Sequence, residues 1–176
     1  MAKLLYLCRH TRQDIQTAVT FLCTRVKEPD EDDYKKLVKV MQYIRNMKNL
    51  TLTIEPSADP KWWVDSSYVV HSDMRSNTGM VMSLGKGAMY SASTKQKLNT
   101  KSSMEAELLA IDNAMAQVLW TRCFLVAQGE YVPTMTIYQD NKSTILLAEN
   151  GKQSSSWRTR HLNIHYFFVT NKDKKR

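Results

Sequence analysis

The sequence predicts an α/β fold: a mixed β-sheet flanked by helices, with a small helical segment in front of it. Three features of the chain predict it. Residues 62–70, 79–84 and 88–94 are strand-like runs with short connections, one polar (His71 to Asn77) and one built on Gly85-Lys86-Gly87, as an antiparallel meander requires. A long helical stretch, residues 103–127, follows. Beyond it the apolar residues 135–139 form a strand reached only through a helical crossover, which places it parallel to a neighbour in the same sheet.

Each element has its own local cause. Thr11 followed by Asp14 has the pattern of a capping box, and Ile15, Ala18, Val19, Leu22 and Val26 then recur at helical spacing. Pro29 ends that helix. Asp30 caps a second one, whose first turn carries Glu31, Asp32 and Asp33, acids that complement the helix dipole. Tyr34, Leu37, Val38, Met41 and Ile44 form its expected apolar face. Residues 50–55 alternate like a short strand, and residues 56–60, bounded by prolines, read as a hinge. The chain is therefore expected to divide into a helical segment, residues 1–56, and a main domain, residues 57–176. In the long helix Met104, Leu108, Ile111, Met115 and Arg122 line one side, flanked by Val118 and Leu119. After residues 135–139 comes a final helix over residues 141–149.

A chain of 176 residues buries one good core with room for a helical appendage. The formal charge of +8 and a pI near 9.4 favour a polyanionic partner. Lys86, Lys95, Lys97 and Lys101 fall in an acid-free stretch, and the end from Ser154 is basic too. Cys8, Cys23 and Cys123 are widely spaced and form no ligand pair, so they are expected to be reduced core thiols. Trp62, Trp63, Trp120 and Trp157 are read as core rings, and none is assigned to a ligand. No apolar run approaches a membrane span and the N-terminus lacks a signal-peptide layout, so a soluble intracellular protein, cytoplasmic or nuclear, is expected.

Three carboxylates stand where local pattern can aim them at one point. Asp65 lies in the first strand, Glu107 near the start of the long helix, and Asp140 at the end of the last strand. Such crowding is tolerable when divalent cations are shared among the acids. Helix geometry separates Glu107 from Glu105. Glu107 lies roughly 60° from the centre of the apolar line, at its edge, and Glu105 on the order of 100° away on the other flank. Glu107 is thus the better ligand and Glu105 a solvated helix-start acid. Taken alone, Asp140 before Asn141 reads as a helix cap. His161 and His165 are one turn apart with no third ligand nearby, and His10 and His71 are no stronger as ligands.

Val64-Asp65-Ser66-Ser67, Arg75-Ser76-Asn77-Thr78-Gly79, Ser91 to Lys97, Ser102 to Glu107, Asp140-Asn141-Lys142-Ser143 and Arg158-Thr159-Arg160-His161 occur in this order. With them, the chain resembles the ribonuclease H domain of Ty1/copia-type LTR retrotransposons. Leu4-Leu5-Tyr6-Leu7 and Thr11 to Ile15 resemble the connection-like end of the reverse transcriptase in front of it. The resemblance implies a ribonuclease H-like fold for residues 57–176 and hydrolysis of the RNA strand of an RNA–DNA hybrid. It implies two Mg²⁺ ions, with Mn²⁺ a possible substitute, roughly 4 Å apart and held by Asp65, Glu107 and Asp140. The hybrid would be recognised by its 2′-hydroxyls and phosphates, with Ser67, Ser102 and Ser103 facing the minor groove and Lys95, Lys97 and Lys101 on phosphates. The remainder of a reverse transcriptase polyprotein is the implied protein partner.

One departure stands out. Members of this family continue past the helix near Arg158 into a further strand and a last helix bearing a fourth acid, and nothing in Asn171 to Arg176 matches them. The alternative expectation is therefore a catalytically weak or inactive fragment of a reverse transcriptase that binds nucleic acid or serves a structural role. An integrase-like nuclease of the same superfold fits the carboxylates but not the surrounding motifs.

Overall fold

The computed structural model describes residues 1–55, 59–132 and 134–150. The expected hinge falls largely outside these residues. So do the basic C-terminal end, Trp157, the Arg158 to His161 motif, the His161–His165 pair and the question of a last strand and helix.

The chain opens with α1 (Ala2–His10), a 3₁₀ turn (Gln13–Ile15), α2 (Gln16–Thr24) and α3 (Glu31–Asn46). The capping box expected at Thr11 does not form. The Thr11 hydroxyl bonds back to the Leu7 carbonyl, and Asp14 is held instead by one guanidinium edge of Arg12, through Nε at 2.9 Å and Nη2 at 2.8 Å. A bidentate charged pair is stronger than a neutral cap bond, so the chain turns once more before α2 begins. At Asp30 the capping box does form: Asp30 accepts from the Asp33 amide at 2.7 Å, and Asp33 accepts from the Asp30 amide at 3.3 Å. Asp33 is thereby turned inward onto Arg25, 3.0 Å away. The inward face of α3 accordingly runs through Leu37, Val40 and Ile44, while Tyr34 and Met41, expected inside, are exposed. Cys8, Ile15, Val19, Leu22 and Val40 form the core of this helical unit.

Among the described residues, four strands make one sheet in the order β3-β2-β1-β4. β1 (Lys61–Ser67), β2 (Asn77–Ser83) and β3 (Ala88–Lys95) form the expected antiparallel meander, and β4 (Thr136–Tyr138) runs parallel to β1. The α/β class with a mixed sheet and a helical N-terminal segment is thus what the chain adopts. Alternation puts Trp62, Val64, Met80 and Met82 on one face, where α4 (Ser103–Ala127) covers them with Ala110, Ile111, Ala114, Met115 and Val118. Leu108, expected on that sheet-facing line, packs instead with Leu147 of α5 (Lys142–Asn150). The start of α4 is therefore buried on two sides, by sheet and by helix.

Residues 50–55 form no strand. Their backbone instead crosses the β2–β3 turn so closely that a Cβ at Gly85 or Gly87 would overlap the Glu55 or Thr53 carbonyl. Lys86 closes the same turn by pairing with Glu55. Carbonyls pressed against a glycine turn have no neighbouring ladder to join, whatever the side-chain alternation. Of the cysteines, Cys8 is buried but Cys123 is exposed, against the expectation of three core thiols. Trp62 is core; Trp63 and Trp120 are not. No helix among the described residues is long and apolar enough to cross a membrane.

Candidate metal centre

β4 is short. It stops at Tyr138, opposite Trp63, so β1 runs on through Asp65 with no strand on that side among the described residues. A crevice at the carboxyl ends of strands, where connections diverge, is the usual place for a site in an open α/β sheet. Asp65, Glu107 and Asp140 meet at this gap: one carboxylate oxygen from each lies within 4.8 Å of the other two. Each arrives by a different route. Asp65 is set by the register of β1, opposite Gly79 of β2. Glu107 stands one turn into α4, and Asp140 is the middle residue of the three-residue link between β4 and α5.

The environments of the three differ. Asp65 and Asp140 are exposed, whereas Glu107 is only 5% exposed. Gln139 donates its Nε2 hydrogen to Glu107 Oε2 at 2.9 Å, and its Oε1 accepts from the amides of Asp140 and Asn141 at 2.7 and 3.3 Å. One amide side chain therefore fixes the buried acid and the strand-to-helix turn together. Asn141 rather than Asp140 is the cap of α5, its Oδ1 accepting from the Thr144 amide at 3.2 Å. Asp65 accepts from the amide of Ser66 at 2.7 Å. Burial pushes the Glu107 carboxyl above its ordinary value, and the charges of Asp65 and Asp140 push the same way. The Gln139 hydrogen bond and the Ser66 amide pull it partly back. Two exposed carboxylates crowding a third that is buried form an oxygen-only donor set whose mutual repulsion a hard divalent cation relieves. Mg²⁺ takes few protein ligands and keeps water, so the residues present fit it.

Glu105 is not the solvated acid that helix geometry suggested. It is buried, and its carboxylate accepts from the Lys101 amide at 2.7 Å while its own amide donates to Ser102 Oγ at 3.2 Å. Ser102 is thus the cap of α4, and Ser103 is its exposed first residue. Lys97 and Lys101 are exposed, and Lys95 reaches Asp73 at 2.7 Å. Ser67 lines a separate cavity of about 570 Å³ with Phe21, Val70, His71 and Asn77. Gln139 and Gln96 carry structural roles that sequence reading did not assign. Gln96 is 1% exposed, and its Nε2 lies 3.0 Å from Thr78 Oγ1, 2.9 Å from the Ala106 carbonyl and 3.4 Å from Ser66 Oγ, tying the end of β3 to α4 and β1. Its only sequence signal was membership of the Ser91 to Lys97 motif.

No protein-family model matches the chain. Among curated proteins it is 27% identical over 172 residues to the retrovirus-related Pol polyprotein from transposon TNT 1-94 of Nicotiana tabacum, a match covering 96% of this chain and 13% of that polyprotein. It is 28% identical over 170 residues to the Pol polyproteins from transposons RE2 and RE1 of Arabidopsis thaliana, covering 92% of this chain and 11% of each. Over most of its length, then, the chain is similar to a small part of the retrovirus-related Pol polyproteins of plant transposons.

Proposed function

We propose that this chain is the ribonuclease H segment of a retrotransposon reverse transcriptase, with residues 1–56 the connection-like end of the polymerase region and residues 57–176 the nuclease domain. The reading rests above all on one observation: three carboxylates from β1, α4 and the β4–α5 link have ligand oxygens within 4.8 Å of one another. Similarity to transposon Pol polyproteins supports the polyprotein context.

Asp65, Glu107 and Asp140 would hold two Mg²⁺ ions, or Mn²⁺ in their place. Bound there, the ions supply Lewis-acid stabilisation of the attacking water and of the leaving 3′ oxygen. The protein's part is positioning. Gln139 keeps Glu107 from turning away, and the Ser66 amide fixes Asp65. Capping the Glu105 amide leaves the Ser102 hydroxyl its own hydrogen to donate to a 2′-oxygen of the hybrid. Exposed Lys97 and Lys101 suit phosphates of the same duplex.

The test is cleavage of an end-labelled RNA–DNA hybrid with Mg²⁺ or Mn²⁺, beside Asp65→Asn. The wild type is expected to cut the RNA strand and leave the DNA strand whole, and Asp65→Asn to lose on the order of a hundred-fold or more in rate. Equal inertness of both proteins, with hybrid still bound, would instead establish a binding or structural segment.

A further inference from the structure

The carboxylates share their cleft with an aromatic pair. Strand side chains alternate, so Trp63 stands on the same face of β1 as Asp65, and Tyr138 stands two residues before Asp140. The parallel register sets Trp63 directly beside Tyr138. Their rings are stacked, with centroids 5.3 Å apart and planes 15° from parallel. Both are well exposed, at 43% and 44%. Large rings left this open on a sheet face, beside a charged cluster, are unlike the core role their apolar strands suggest.

The same face bounds a cavity of about 520 Å³ that also includes Asp65 and Asp140. Its far wall comes from the N-terminal helical unit, through Gln13, Gln16 and Thr17. Among the described residues, three polar atoms of the cavity lining are buried without a hydrogen-bond partner: Gln13 Oε1, Gln16 Oε1 and Ser91 Oγ. Buried polar atoms left unpaired in this way are costly, and a ligand bearing hydrogen-bond donors would satisfy them. The cleft thus has a π-surface on one wall, unpaired acceptors around it and acids at one end.

We propose that Trp63 and Tyr138 form a stacking platform for an unpaired nucleobase, which continues the stack as a third ring while its neighbouring phosphate lies at the carboxylates. The choice of ligand rests on the nucleic-acid reading of the site. Gln13, Gln16 and Ser91 then face the base edge. Two residues of strand are about 6.6 Å, close to the reach of one nucleotide along an extended backbone. The site therefore takes single-stranded or frayed nucleic acid beside the duplex, and residues of the helical unit take part in recognition.

The probe is a short RNA–DNA hybrid carrying a single-stranded RNA overhang, compared with the same hybrid blunt-ended, in Ca²⁺ so that binding is read apart from turnover. Affinity is measured by anisotropy of a labelled strand, and stacking by quenching of tryptophan emission. The wild type is expected to bind the overhang form more tightly and to show saturable quenching. Trp63→Leu and Tyr138→Leu should each lose about ten-fold in affinity for the overhang form and little for the blunt one, and Trp63→Phe should recover much of the loss. Thermal melts establish that each variant is folded. If Trp63→Leu does not fold, Tyr138→Leu and the quenching of wild-type emission decide the matter. Unchanged preference in the folded leucine variants, or absence of quenching in the wild type, overturns the platform and leaves the face to a protein segment. Hybrid cleavage is scored separately: cutting without any aromatic effect removes the platform alone, and an aromatic effect without cutting removes the nuclease reading alone.

Discussion

Glu107 is the residue on which most forces at the site act. Its carboxyl is held above the ordinary value by burial first and by Asp65 and Asp140 next. An acid whose folded-state value is raised binds its proton more tightly folded than unfolded, so stability from this group falls as pH rises from the ordinary glutamate range through the raised value. Near neutral pH and without divalent ions, Glu107 therefore destabilises the fold. Glu107→Gln should melt higher than the wild type in a chelator at neutral pH, with the gap narrowing as the pH is lowered toward the glutamate range. Added Mg²⁺ should raise the wild type and not the variant. A variant that melts below the wild type in chelator would mean that the Gln139 hydrogen bond outweighs the charge crowding. The three acids themselves were legible in the sequence because each follows a local strand or helix pattern. Gln139 and Gln96 were not, because what defines them is a partner elsewhere in the chain: Glu107 for Gln139, and Thr78, Ala106 and Ser66 for Gln96. Glu105 was misread for a similar reason. Helix geometry fixes the direction of a side chain but does not show that Lys101 will bring an amide over it.

At the scale of elements, two capping signals that look alike in sequence had opposite outcomes. Asp30 caps α3 with a reciprocal pair of bonds, and Asp30→Ala should cost about 1 kcal/mol, read as a lower urea midpoint at unchanged slope. A loss much below that would show that Arg25, which also touches Asp30, carries the turn instead. Thr11 caps nothing, since Arg12 captures the acid that would complete its box. Competition from an adjacent charged side chain is the information a pattern of two residues lacks. The strands were legible throughout the meander because alternation and short connections agree there. Residues 50–55 alternate as well, yet they meet glycines of a turn rather than the edge of a ladder. Trp63 was read as core from the company it keeps in the chain, when strand alternation alone sends it to the face opposite Trp62.

Among the described residues, the two larger clusters of buried apolar side chains stand apart, one within the N-terminal helices and one between α4 and the sheet. Between the two units the structure leaves the cavities that hold Ser67 on one side and Asp65 on the other. The net charge of +8 belongs to the entire chain, and it would attract a polyanion at long range. Affinity for a blunt hybrid, plotted as log K against log salt, should fall with a slope of several units, as release of counterions from several phosphates requires. A nearly flat line would separate this protein from nucleic acid altogether. That charge was plain from composition. What composition could not show is where it is spent internally, as at Lys95 on Asp73 and Lys86 on Glu55.

The parallel seam between β1 and β4 has a consequence for how the protein is made. β1 leaves the ribosome well before β4, and the strand that pairs with its outer edge is translated only after the whole of α4. Until then Lys61, Trp62 and Trp63 present a bare, partly aromatic backbone edge, the kind of surface on which nascent chains pair with one another. Because the carboxylates gather at the end of this same seam, Asp65 can meet Asp140 only after the whole of α4 and β4 has been made.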